Sequence, residues 1–300
     1  MSAPMVRTTA SALAAAVVFV LVSDVRSRPQ AAQAPSVASQ GQGGQGQGQA
    51  PAPAQGGRGG GGRGGRGGPA PNLAPRAGAP VDLTGTWVSV VTEDWQWRMR
   101  TPPKGDVTSV PLNAQGRQVA DSWDPSKDGA CEAYGVGGIM RMPGRLRISW
   151  QDDTTLKIET DAGQQTRLLR FATPAAPVST ANAQRTLQGT SVAEWQRSGN
   201  AFDAFLERGA GAGAPRWGSL KVTTTNMLPG WLRRNGVPYS QNAVVTEYFT
   251  RFTHPEAGDW FVVTTTVEDP TYLQQPFTTS SNFKKEPNDS KWMPIACKSS

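Results

Sequence analysis

Residues 243–268 read AVVTEYFTRFTHPEAGDWFVVTTTVE. Two runs rich in β-branched and aromatic residues, 243–253 and 259–268, flank Pro255-Glu256-Ala257-Gly258. Such runs fit a pleated, half-buried backbone, and Pro and Gly punctuate turns, so the stretch predicts a long β-hairpin. Working outward, residues 220–227 and 276–283 have the same character. Further upstream, Leu146, Ile148 and Trp150 alternate with Arg145, Arg147 and Ser149, and Leu156 and Ile158 alternate with Lys157 and Glu159. Asp161-Ala162-Gly163 then marks a turn into a strand over 166–171. Residues 84–91, TGTWVSVV, form the first strand of the series. Period two also places Trp95, Trp97 and Met99 on one face, with Gln96, Arg98 and Arg100 on the other. The count is about eight to ten strands, enough for a closed barrel or two packed sheets. Helical signals are few. Residues 112–123 carry one, with Asn113 as N-cap; 202–208 could add a turn or two, and 209–215 read as a small-residue loop. The fold class is therefore all-β, or β-rich with one or two short helices.

The first 80 residues have a different composition. Arg7 precedes an apolar run from Ala10 to Val22 that only Ser11 interrupts. The run is shorter than the about 20 residues of a membrane span and suits the apolar core of an export signal. Ala32-Gln33-Ala34 supplies small residues for cleavage, so residues 1–34 read as a signal peptide or, if uncut, an N-terminal anchor; a cut chain keeps no membrane span. Residues 35–80 are dominated by Gly, Gln, Ala, Pro and Arg. Such a chain cannot bury enough apolar surface to offset its ordering entropy, which predicts a disordered tether. Arg58, Arg63 and Arg66 sit among glycines, but no aromatic residue alternates with them as in nucleic-acid-binding segments. The net charge of +7 belongs mostly to this part. Residues 1–80 hold seven arginines and one acid, Asp24, which leaves 23 basic against 22 acidic residues for the domain at 81–300. That near neutrality predicts no nucleic-acid partner; the tether could make a weak contact with an envelope surface. The expected location is periplasmic or extracellular. There, the two cysteines, Cys131 and Cys297, are expected to form a disulfide.

The domain lacks the motifs of common catalytic chemistries. His254 is the one histidine of the chain, and it precedes Pro255 at a strand end, where an exposed turn role is expected. No zinc spacing, G-x-S-x-G elbow or phosphate-binding Gly-rich loop occurs, so no metal and no cofactor is predicted. Ser281-Asn282-Phe283-Lys284 matches S-x-x-K, but on a strand rather than a helix. Adjacent carboxylates on a strand point to opposite faces, and Asp152-Asp153, between two strands, reads as a turn. Acids converging from separate strands remain open for a hydrolase or isomerase, with Asp94, Glu247 and Glu268 the ones to inspect. Ten tryptophans, from Trp87 to Trp292, supply core and, for a few, pocket walls.

Two resemblances bear on this. Leu83-Thr84-Gly85-Thr86-Trp87 resembles the G-x-W start of the lipocalin and wider calycin barrels, which implies a Trp closing one barrel end under a basic residue, with Arg251 and Lys284 as the candidates. Residues 90–99, 246–252 and 267–277 resemble uncharacterised secreted proteins of environmental bacteria, which implies export. The reading that joins these is an exported lipocalin-like antiparallel barrel binding a small apolar or amphipathic ligand. Its candidate lining is Trp95, Trp97, Met99 and Trp150, with Arg98 or Arg145 at the rim. The rivals are a tethered interaction module without a cavity, facing an envelope partner or polysaccharide, and the carboxylate-dependent enzyme.

Overall fold

The computed structural model describes residues 73–129, 131–173, 177–179, 183–197 and 218–298. The expectations for the leader, most of the tether, and residues 202–215 fall outside them.

Among the described residues, thirteen strands and two short α-helices follow in order: β1 (Gly85–Val90), α1 (Trp95–Arg98), α2 (Ala114–Ser122), β2 (Arg145–Trp150), β3 (Thr155–Thr160), β4 (Ala162–Gly163), β5 (Thr166–Phe171), β6 (Thr190–Arg197), β7 (Gly218–Thr225), β8 (Gly230–Arg233), β9 (Val237–Tyr239), β10 (Val244–His254), β11 (Gly258–Glu268), β12 (Phe277–Lys285) and β13 (Ile295–Ala296). Nine of them close a barrel in which each strand neighbours the next: β1, β2, β3, β5, β6, β7, β10, β11, β12 and back to β1. This is the β-rich barrel with short helices that the strand count predicts. It departs from a purely antiparallel barrel at one pair. An odd ring cannot alternate direction all the way round, and here β5 and β6 run parallel, in register over Leu169↔Ser191, Arg170↔Val192 and Phe171↔Ala193. A parallel neighbour needs a crossover between the end of one strand and the start of the next. The quoted hairpin is the longest pairing, from Val244↔Glu268 to His254↔Gly258. Gly258 takes the left-handed backbone (φ 79°) that its turn requires.

Period two sends side chains of all nine barrel strands inward to one cluster, including Trp87, Ile148, Ile158, Leu169, Ala193, Leu220, Phe249, Phe261 and Phe283. Trp87 meets Phe261 edge-on at 4.7 Å, and Phe261 stacks on Phe283 at 4.8 Å. Trp87 is fully buried and its Nε1 donates to the Leu83 carbonyl. The basic residue over its ring is Lys285, its register partner, rather than Arg251 or Lys284. Lys284 lies over Trp260 instead, and Arg251 binds Asp259 and the Asp82 carbonyl.

A second cluster caps the end of the barrel where β1 finishes, joining Val107, Leu112, Leu232, Val237, Tyr239, Leu273 and Phe277. α2 belongs to this cap. Asn113 starts it as the sequence predicts, its side chain accepting from Gly116 N at 2.8 Å. At the other end, Trp150, Phe171 and Trp195 pack together. Residues 73–80, ahead of the expected domain start, lie against this end: Trp195 Nε1 donates to the Pro75 carbonyl and Arg76 N to that of Asp153. Cys131 and Cys297 form the expected disulfide, and beside it β13 runs parallel to β4. Among the described residues no helix is long and apolar enough to cross a membrane.

Candidate functional site

The segment after β1 was expected to continue as a strand, but residues 95–98 form the single turn of α1. Asp94, in the left-handed region (φ 51°), reverses the chain ahead of it; short polar side chains tolerate that backbone. The change of period redistributes the side chains. On a helix, residues four apart share a face, so Trp95 and Met99 both point outward, 60% and 56% exposed. Arg98 is turned inward and is 2% exposed.

Arg98 enters a cluster assembled from three parts of the chain. Its Nε donates to the Arg141 carbonyl at 2.9 Å, its Nη2 to Ser89 Oγ at 3.1 Å, and its Nη1 pairs with Glu93. Arg141 lies on the short turn of residues 139–141 and is 6% exposed. Its Nη2 binds Asp94 at 3.0 Å, while its buried Nη1 has no hydrogen-bond partner among the described residues. Arg233, at the end of β8, is 4% exposed. Its guanidinium lies over the Trp97 ring at 4.5 Å, yet its buried Nε and Nη1 have no hydrogen-bond partner, and no carboxylate among the described residues forms an ion pair with it. Asp106, whose charge also acts on Arg233, accepts from Trp97 Nε1 at 2.8 Å and from Thr108 N. Arg234 donates to the Arg98 carbonyl at 3.0 Å.

The electrostatics follow from these contacts. Of the three buried guanidinium groups, Arg98 and Arg141 are paired with Glu93 and Asp94, while Arg233 has no ion-pair partner among the described residues and is drawn on only through space by Asp94 and Asp106. Burial and then the Arg141 charge push the Arg233 guanidinium down to about 10, against the opposing pull of Asp94 and Asp106. Burial lowers Arg98 as well, with Glu93 opposing. The hydrogen bond from Trp97 holds the Asp106 carboxyl below its ordinary range. Between Trp97, Arg98, Arg141 and Arg233 lies a slot of about 20 Å³, room for one water-sized group. The polar side chains that line it, Trp97, Arg98, Arg141, Arg233 and Arg234, are all donors, which suits an anion.

The structure thus brings together four of the candidates, Trp95, Trp97, Arg98 and Met99. It leaves two elsewhere. Trp150, at the far end of β2, stacks on Phe171 at 5.7 Å. Arg145 is engaged by Glu286, Nε to Oε2 at 2.8 Å. Arg141 and Arg233 were not singled out in the sequence. The signal was available, since each is a charge set in an apolar run, Ile139-Met140-Arg141-Met142 and Trp231-Leu232-Arg233. The inspected acids have separate occupations. Glu247 is fully buried against Arg167, Asp94 holds Arg141, and Glu268 is exposed at the end of β11. His254 is an exposed turn residue whose Nδ1 accepts from the backbone of Glu256 and Ala257. No family model, curated protein or solved structure matches the chain.

Proposed function

We propose that this is an exported, lipocalin-like barrel that binds a small amphipathic molecule at its cap rather than deep in its lumen. The observation that carries the reading is that two exposed apolar side chains, Trp95 and Met99, stand on the same turn of chain whose Trp97 and Arg98 line the arginine slot. Apolar walls beside a few placed polar groups are the usual make-up of a ligand site. Into the lumen point the barrel's own aromatic and aliphatic side chains and the Arg167–Glu247 pair. The disulfide and the leader-like N-terminus support an oxidising compartment. Titration of the full chain with 1-anilinonaphthalene-8-sulfonate, followed by fluorescence, tests the site. Removing both apolar contacts in Trp95→Ala/Met99→Ala should weaken binding by at least about tenfold. Unchanged affinity would place the ligand elsewhere.

A second reading rests on the outer face of β7, β10, β11 and β12. There Thr223, Thr246, Thr266 and Thr278 stand in one rank across four strands, with Tyr248 and Phe252 exposed beside them. Hydroxyls and aromatic rings on a sheet suit contact with a polysaccharide, as a tethered interaction module would make. Affinity electrophoresis in soluble glycan decides this, and Tyr248→Ala/Phe252→Ala that migrates like the parent chain would remove the reading.

A further inference from the structure

We infer that the head group of the ligand is an oxyanion, a carboxylate or a phosphate or sulfate monoester, and that Arg233 receives it. The inference rests on the reading that the cap binds an amphipathic molecule, and it adds the chemistry of recognition. A guanidinium has donors and no acceptor. Arg233 keeps two donor nitrogens, Nε and Nη1, buried without a partner among the described residues, and Arg141 keeps Nη1 in the same state. An unmet buried donor costs stability, and one on a charged group costs more. A water could satisfy the hydrogen bonds, but it would leave the Arg233 charge without a direct counterion. An oxyanion meets both needs.

The surroundings are built to hold Arg233 in position. The Trp97 ring supports its guanidinium at 4.5 Å, and Asp106 fixes that ring through Nε1 at 2.8 Å. Glu93 and Asp94 are bonded to Arg98 and Arg141, and Asp106 to Trp97 and Thr108, so none of the three bonds Arg233 directly. The slot of about 20 Å³ admits a single oxygen atom, which fits a head group presented end-on with its apolar chain lying outside, along Trp95 and Met99. Arginine is suited to carboxylate and phosphate recognition by its fixed array of donors.

The experiment is calorimetric titration of the disulfide-intact full chain with decanoate and with decanol, matched in chain length and differing in charge. Decanoate should bind about 10- to 100-fold more tightly than decanol, the range expected when charged hydrogen bonds are added. Arg233→Met should reduce that preference to within about threefold while decanol binding is kept. Equal binding of acid and alcohol by the parent chain would overturn the oxyanion inference and leave the amphipathic site standing. Binding of neither would overturn both. An acid preference that survives in Arg233→Met would overturn the assignment to Arg233. Should Arg233→Met fail to fold, sulfate competition on the parent chain at fixed ionic strength replaces it. Sulfate should then displace decanoate and chloride should not, and failure to displace would count against the head-group site.

Discussion

Arg167 and Glu247 meet across the barrel lumen, from strands separated in the ring by β6 and β7. Both side chains are fully buried and bind through two hydrogen bonds, at 3.0 and 2.5 Å. The desolvation of two charges offsets most of their attraction, so the pair adds little net stability, yet removing one partner strands the other charge. Glu247→Leu should therefore lower unfolding stability by about 3–5 kcal/mol in urea titration, and Arg167→Met/Glu247→Leu should recover most of the loss. A double variant as unstable as the sum of the two single changes would show that the charges do not depend on each other. At this scale the sequence was informative about type and silent about partners. Glu247 stood out as an acid on a strand, but its counterion is 80 residues away, beyond any local pattern. Lys285 over Trp87 is a smaller case: the basic residue was expected, and only the register of β12 against β1 selects it over its neighbour Lys284.

Among the elements, α2 was legible because its cap is local: Asn113 is followed three residues later by the amide it accepts from. α1 was not. One turn is too short to have a helical period of its own, and Trp-Gln-Trp-Arg-Met satisfies a two-residue alternation. What selects the helix is tertiary, the ion pairs of Arg98 and Arg141 with Glu93 and Asp94. The long strands from β7 onward read correctly since their β-branched runs permit little else. α2 also holds a residue where local and tertiary preferences oppose each other. Gly→Ala inside a helix ordinarily stabilises by about 1 kcal/mol, but a Cβ on Gly116 would sit 2.5 Å from the Tyr272 carbonyl oxygen and 3.0 Å from Leu112 Cδ2. Gly116→Ala should hence destabilise the protein by about 1–3 kcal/mol in thermal or urea unfolding, the range for overpacking. A stabilised variant would mean that α2 moves off the loop at Tyr272 without penalty.

For the whole molecule, the Cys131–Cys297 link closes a sequence separation of 166 residues and fastens β13 beside β4, ahead of the chain end. Chain-entropy arguments assign such a loop roughly 4–5 kcal/mol, an upper figure. Cys131→Ser/Cys297→Ser should unfold at lower urea by up to that amount while keeping the far-ultraviolet dichroism of the barrel. An unchanged midpoint would show that the link fastens only the tail. The strand count of about eight to ten was legible in the sequence, although β6 carried no reading of its own and the neighbour order came from the structure. The parallel pair was not legible, since the parity of a ring is a property of no segment. That parity has a kinetic consequence. Three residue pairs join β5 to β6, against eleven joining β10 to β11, and a cleft of about 500 Å³ opens next to the short join. The wall should part there first when the native state fluctuates. In deuterium labelling, the amides of residues 169–171 and 191–193 should therefore take up label well before those of 245–253. Uniform protection around the ring would mean that the barrel opens only by unfolding throughout.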